Sequence, residues 1–235
     1  MKIPRTDARP LTPARLREAA HALAARDRDL AAILERHGPP PLWGRPHGFA
    51  SLVQIILEQQ VSLASARAIL KRLVETIGEP TPALLFEAGE ERLRACGLTR
   101  QKAAYCHRLA AAALDGRLDL DEVRRLDDER AIELLTQHDG VGPWTAQVYL
   151  LMSLRRPDVW PAGDLGLVNS MQVVKQLRRP PSRERALAIA AAWRPYRAVA
   201  ARMLWQAYLA RQAGEAARRG RSTAKGSRAR QGVVP

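Results

Sequence analysis

The residues of this chain that first suggest chemistry are one carboxylate and a pair of glycines. Asp164, in PAGDLGL, directly precedes a helical pattern that begins at Leu165. There it can cap the helix by accepting N–H bonds, and the positive helix end favours its anionic form. A carboxylate so held can stabilise positive charge on a reacting molecule or orient a water. The segment LLTQHDGVGPWTAQVYLLM sets Gly140-Val141-Gly142 between two helical patterns, with Ala146 four residues past the second glycine. Glycines permit the positive φ of a tight turn and open the backbone to a ligand, and the helix that follows offers unsatisfied N–H groups to an anion. Such a turn can grip one phosphate without reading base sequence, with Val141 plugging the joint and Ala146 letting the helices approach. Glycine is also the commonest helix C-cap, so the pattern alone marks a helix joint as readily as a phosphate grip.

Other residues read two ways. Trp144 and Tyr196 can stack on a planar or cationic group or fill a core; Trp160, Trp193 and Trp205 read as core. Gln59 and Gln60, in EQQVS, can contact a ligand or brace a turn. Gly97-Leu98-Thr99 can supply a second backbone contact, or simply end one helix with glycine and start the next with a Thr N-cap. Cys96 and Cys106 stand ten apart with no CxxC or Cys/His cluster near them, so no disulfide framework, metal site or cofactor is expected, and a reducing cytoplasm fits.

Charge narrows the partner. The chain has 38 Lys+Arg against 24 Asp+Glu, a net +14, which suits a polyanion: DNA, RNA or an anionic membrane. The excess is not confined to the end, since residues 1–210 still hold 31 basic against 23 acidic side chains. No apolar run reaches the roughly 18 residues of a membrane span, and MKIPRTDARP lacks the apolar stretch of a signal peptide. A soluble protein of the cytoplasm is expected, nucleoid-associated if prokaryotic, with no membrane partner.

The elements that must position these groups read as all-α. Apolar residues recur at three and four, as in Leu52, Ile55 and Ile56, or Ile69, Leu70 and Leu73, and no period-two run is long enough for a sheet. Thr12-Pro13 and Thr81-Pro82 are helix starts. Helices are predicted over 48–60, 63–77, 82–95, 100–114, 128–138, 144–154, 165–178 and 183–211. Residues 1–10 read as an extension and 11–213 as the helical domain, with the hairpin at 139–143. Residues 214–235 read as a basic, disordered tail that adds non-specific affinity for a polyanion.

Several of these segments together resemble a known family. GVGPWTA resembles the helix-hairpin-helix of the endonuclease III and alkyladenine glycosylase superfamily (HhH-GPD), and PAGDLGL carries Asp164 twenty residues after Trp144, where that family has its essential aspartate. FASLVQIILEQQVSLASARAILKRL, LRACGLTRQKAAYCHRLA and AAWRPYRAVAARMLW resemble further segments in family order. The resemblance covers roughly residues 40–210 and is nearest the 3-methyladenine glycosylase II branch, in a compact version without an added N-terminal sheet domain.

The resemblance implies a two-lobed helical fold with the DNA-binding cleft between lobes, and a monomeric glycosylase of base excision repair acting on duplex DNA with damaged bases. Asp164 would then be catalytic, supporting the oxocarbenium character that develops as an alkylated purine leaves deoxyribose. Trp144 and Tyr196 would stack on the flipped, cationic base. Gln60 would fill the hole in the stack, with Gln59 beside it. Gly140, Val141, Gly142 and Thr145 of the hairpin, and Gly97 and Thr99 between the upstream helices, would bind DNA. Val148 stands where a broad-pocket relative has tyrosine, and Tyr196 where it has tryptophan, so 3-methyladenine, 7-methylguanine, ethenoadenine and hypoxanthine all stay open as substrates. Lyase members carry a lysine nucleophile where this chain has Trp144, so no lyase step is expected. The four cysteines of an iron–sulfur cluster are also lacking. The rival readings are a bifunctional glycosylase/lyase, which borohydride trapping would reveal, and a non-catalytic DNA-structure-binding protein, for which an aimed carboxylate has no use.

Overall fold

The computed structural model describes residues 9–230, with side chains as far as residue 217. Its elements are helices: α1 (Pro13–Ala24), α2 (Arg28–His37), α3 (Phe49–Glu58), α4 (Leu63–Ile77), α5 (Pro82–Ala95), α6 (Arg100–Leu114), α7 (Leu120–Arg125), α8 (Asp128–Thr136), α9 (Pro143–Met152), α10 (Leu165–Val174), α11 (Arg183–Ala191) and α12 (Arg197–Arg230). Among the described residues there is no strand. Many starts are written in the sequence as hydroxyl or carboxyl caps. The side chains of Asp27, Ser62, Thr81, Thr99, Asp127, Asp164 and Ser182 each accept a backbone N–H of the first turn that follows. α3 and α9 differ, starting on Gly48 and Gly142 with no side chain closing the turn.

The chain forms two compact units. One takes Leu42–Ala162 and Arg194–Ala198 with the described part of Met1–Thr12; the other takes Pro13–Pro41, Gly163–Trp193 and the chain from Val199. In the first unit α3 is apolar almost all round, burying Leu52, Val53, Ile55, Ile56 and Leu57 completely, as a central helix must. It packs against α4, α6 and α9, and the neighbouring pairs α5–α6 and α8–α9 complete the bundle. In the second unit α1 lies on α2, Ser170 Oγ donates to the Leu204 carbonyl at 2.7 Å to join α10 to α12, and Gln206 donates to the His37 carbonyl at 3.1 Å. Asp27 is the hub of that unit. Its carboxylate accepts Lys175 Nζ at 2.7 Å and Trp193 Nε1 at 2.7 Å besides capping α2.

Three departures from the sequence-based expectation have physical causes. The segment 183–211 is two helices, because Pro195 has no N–H to give and its ring clashes with the preceding turn. α1, α2 and α7 lie outside the predicted helices: only the start of α1 was legible, at Thr12-Pro13, and α7 has six residues, too few to show a period. α12 runs on to Arg230 where disorder was expected from 214, the alanines and arginines there being strong helix formers. Of the expected extension, residues 1–8 lie outside the described residues, as do 231–235 of the tail. No helix among the described residues is long and apolar enough to cross a membrane.

Candidate active site

The hairpin between α8 and α9 is built from its glycines. Gly140 has φ +84°, and a Cβ there would lie 2.5 Å from Tyr105 Cγ, so both backbone and space demand glycine. Tyr105 is held in turn: Gln101 Nε2 donates to its hydroxyl at 2.6 Å, and the Arg108 guanidinium, paired with Asp139 at 2.9 Å, lies 5.6 Å from its ring centre. Val141 is buried as the plug and donates its N–H to the His138 carbonyl. Gly142 is different, since its φ is −79° and a Cβ would meet nothing within 4 Å. It faces open space at the uncapped start of α9, the geometry of an anion site.

Two residues expected to touch DNA turn inward instead. Thr145 is 2% exposed, and Gln59 Nε2 donates both to its hydroxyl at 2.9 Å and to the Gly140 carbonyl at 2.8 Å. The Gln59 amide therefore locks the hairpin from the end of α3. Gln60 next to it is exposed at φ +56°, a strained conformation for a residue with a side chain, and so protrudes from the turn. That turn is tied down by Lys102. It is 8% exposed and donates to the Leu57 and Gln59 carbonyls at 2.8 and 2.7 Å, capping α3. Burial pulls its ammonium below the usual lysine range and pushes the neighbouring Cys106 thiol up to about 12. Between α5 and α6, Gly97 takes φ +100° and Thr99 accepts the Lys102 N–H as N-cap, the ordinary helix-turn reading.

Trp144 is half-buried at the start of α9, packed against the first unit's core. Tyr196 is half-buried in the short segment that leads into α12. Trp160 and Trp193 are buried as expected, and so is Val148.

In the second unit Asp164 caps α10. Its Oδ1 accepts the Leu167 N–H at 2.8 Å and the Trp205 indole N–H at 3.0 Å. Gly166 makes room for this, since a Cβ there would stand 3.1 Å from the same oxygen and 3.5 Å from Trp205 Cδ1. Two fixed donors on one oxygen set the carboxylate's orientation, so it can meet a developing cation without first reorganising. Trp205, expected from sequence in the core, is half-buried and is the partner that sequence reasoning missed. The available signal was chemical: an indole N–H that is shielded from water needs an acceptor.

A helical fold with a glycine hairpin ahead of an N-capping aspartate defines a class, and residues 53–195 match the HhH-GPD superfamily base excision DNA repair proteins. The chain belongs to that superfamily. Among its relatives, YfjP of Bacillus subtilis is 31% identical over 185 residues, 75% of this chain and 64% of that protein. DNA-3-methyladenine glycosylase 1 of Schizosaccharomyces pombe is 30% identical over 181 residues, 75% of this chain and 79% of that one. The solved structure of Schizosaccharomyces pombe 3-methyladenine DNA glycosylase (Mag1) in complex with abasic DNA superimposes with a TM-score of 0.73 at 29% identity, covering 80% of this chain and 95% of that one.

Proposed function

We propose that this chain hydrolyses the glycosidic bond of alkylated purines in duplex DNA, with Asp164 as its catalytic carboxylate. It is an alkylbase DNA glycosylase of base excision repair. The observation that carries the assignment of Asp164 is the doubly anchored Oδ1, an arrangement more elaborate than a helix cap requires. As the base departs, positive charge grows on the sugar, and a fixed anion lowers the barrier by electrostatics. An alkylated purine is already cationic and needs no strong general acid. Trp144 and Tyr196 hold it by π stacking, Gln60 fills the vacated stack, and the backbone at Gly142 takes a phosphate.

No lyase step belongs to this reading. A Schiff-base nucleophile must be an unprotonated, accessible amine, and none of the three lysines with described side chains supplies one. Lys102 is engaged by two carbonyls, Lys71 is ion-paired on the surface, and Lys175 is clamped by Asp27 and Asp29. Against the opposing effect of burial, those carboxylates hold the Lys175 ammonium above its usual range. The bound lesion, the monomeric state, the absence of an iron–sulfur cluster and a cytoplasmic, nucleoid-associated location go with the same proposal.

The test is release of free methylated purines from dimethyl-sulfate-treated duplex, resolved by chromatography. Wild type should release them and Asp164→Asn should not, while borohydride should trap no adduct. Equal release by both proteins would remove Asp164 from the mechanism, and strong trapping would make the enzyme bifunctional.

A further inference from the structure

Residues Arg194–Ala198 belong to the first unit, although the chain on either side belongs to the second. One buried carboxylate moors them. Asp158, 3% exposed, accepts the Arg197 backbone N–H at 3.1 Å and Arg197 Nε at 3.0 Å on Oδ1. On Oδ2 it accepts Arg197 Nη2 at 3.0 Å and Arg194 Nη1 at 3.3 Å. Its own carbonyl accepts Arg197 Nη2 at 2.7 Å, and the adjacent Pro157 carbonyl accepts the Ala198 N–H at 3.1 Å. Burying a carboxylate is costly unless its hydrogen bonds are met, and every one of these bonds goes to the five residues that carry Tyr196. Arg194 and Arg197 bracket the tyrosine, so its backbone cannot move without breaking charge-assisted bonds on one side or the other.

The geometry points to Asp158 as a positioning residue for Tyr196, holding the ring where it stacks on the damaged base. This rests on the reading of Tyr196 as a base-stacking residue. Stacking is sensitive to offset and tilt, so the pose of this half-buried ring depends on how the backbone on either side of it is held. Asp158 therefore sets how well a base is held without touching it.

A double-mutant cycle in the full-length protein tests this, with single-turnover excision from dimethyl-sulfate-treated duplex measured over a range of enzyme concentrations. Tyr196→Ala should slow excision about tenfold, the scale of one lost stacking contact. Asp158→Asn should slow it by a similar factor and leave binding to undamaged duplex unchanged, which general loosening of the unit would not do. The double variant should be no slower than the slower single one, because residues acting through one another are non-additive. If Tyr196→Ala has no effect, the stacking role of Tyr196 fails. If it slows excision but the two effects multiply, that role stands and the positioning role of Asp158 is overturned. Should Asp158→Asn not fold, Arg194→Gln removes only the 3.3 Å bond, from a side chain 47% exposed. Paired with Tyr196→Ala in the same cycle, it supports the positioning role if the effects fail to multiply and overturns it if they do.

Discussion

At the scale of single residues, the proposed catalysis by Asp164 turns on how one of its oxygens is held. The Trp205 indole donates to it at 3.0 Å, and a hydrogen bond to a charged group is worth about 1.5–3 kcal/mol. Trp205→Phe keeps a six-membered aromatic ring and removes that donor together with the pyrrole half of the indole. The expected result is an excision rate at saturating enzyme lower by roughly tenfold or more, with an unfolding midpoint close to wild type; an unchanged rate would mean that the indole donor is not needed to hold the carboxylate. Asp164 was legible because a carboxylate before an apolar helical pattern stands out locally. Trp205 was not, because its partner lies 41 residues away on a different helix, and no local rule pairs them. Thr145 and Gln59 show the same limit: residues of a binding hairpin look alike in sequence whether they face a ligand or each other, and only packing shows that these two face each other.

At the scale of elements, the α8–α9 hairpin separates two uses of glycine that its sequence writes identically. Gly140 is required by the protein itself, through φ +84° and the Tyr105 ring. Gly140→Ala should cost about 2–4 kcal/mol, combining left-handed strain with overpacking, seen as a lower urea midpoint. Gly142 is required by neither, so Gly142→Ala should leave stability within about 1 kcal/mol of wild type and still weaken binding to undamaged duplex, because its methyl group would stand where the phosphate approaches. Stable, fully binding Gly142→Ala would refute a phosphate contact there. The helices themselves were largely readable, since caps such as Ser62, Thr81, Thr99 and Ser182 act on the turn next to them. Pro195 was readable too, as a helix breaker, yet the strong apolar pattern on both sides disguised the gap that carries Tyr196. Burial of Lys102 was not readable, because the carbonyls it caps come from 43 and 45 residues earlier in the chain.

At the scale of the whole molecule, a net charge of +14 serves a polyanionic ligand but repels itself, so fixed internal anions matter to stability. Asp27 is the most connected of these. Burial would raise its pKa, but hydrogen bonds from Lys175, Trp193 and the α2 backbone outweigh that and bring it below the usual 3.8. A depressed carboxylate contributes stability that is fully present above the unfolded value and disappears as pH falls through the folded one. Lys175, held above 10.5, contributes in the opposite sense: its share is present below 10.5 and lost as pH rises through the higher folded value. The cluster should therefore leave stability flat across neutrality and withdraw it at both ends, below about pH 4 and above about pH 10. Thermal unfolding followed from pH 3 to pH 11 checks this. Asp27→Asn should lower the midpoint at neutral pH, since Lys175 would keep only Asp29, and should flatten the acid limb relative to wild type. If the variant loses stability in acid as steeply as wild type, the acid sensitivity comes from carboxylates elsewhere in the protein, and Asp27 is only a helix cap.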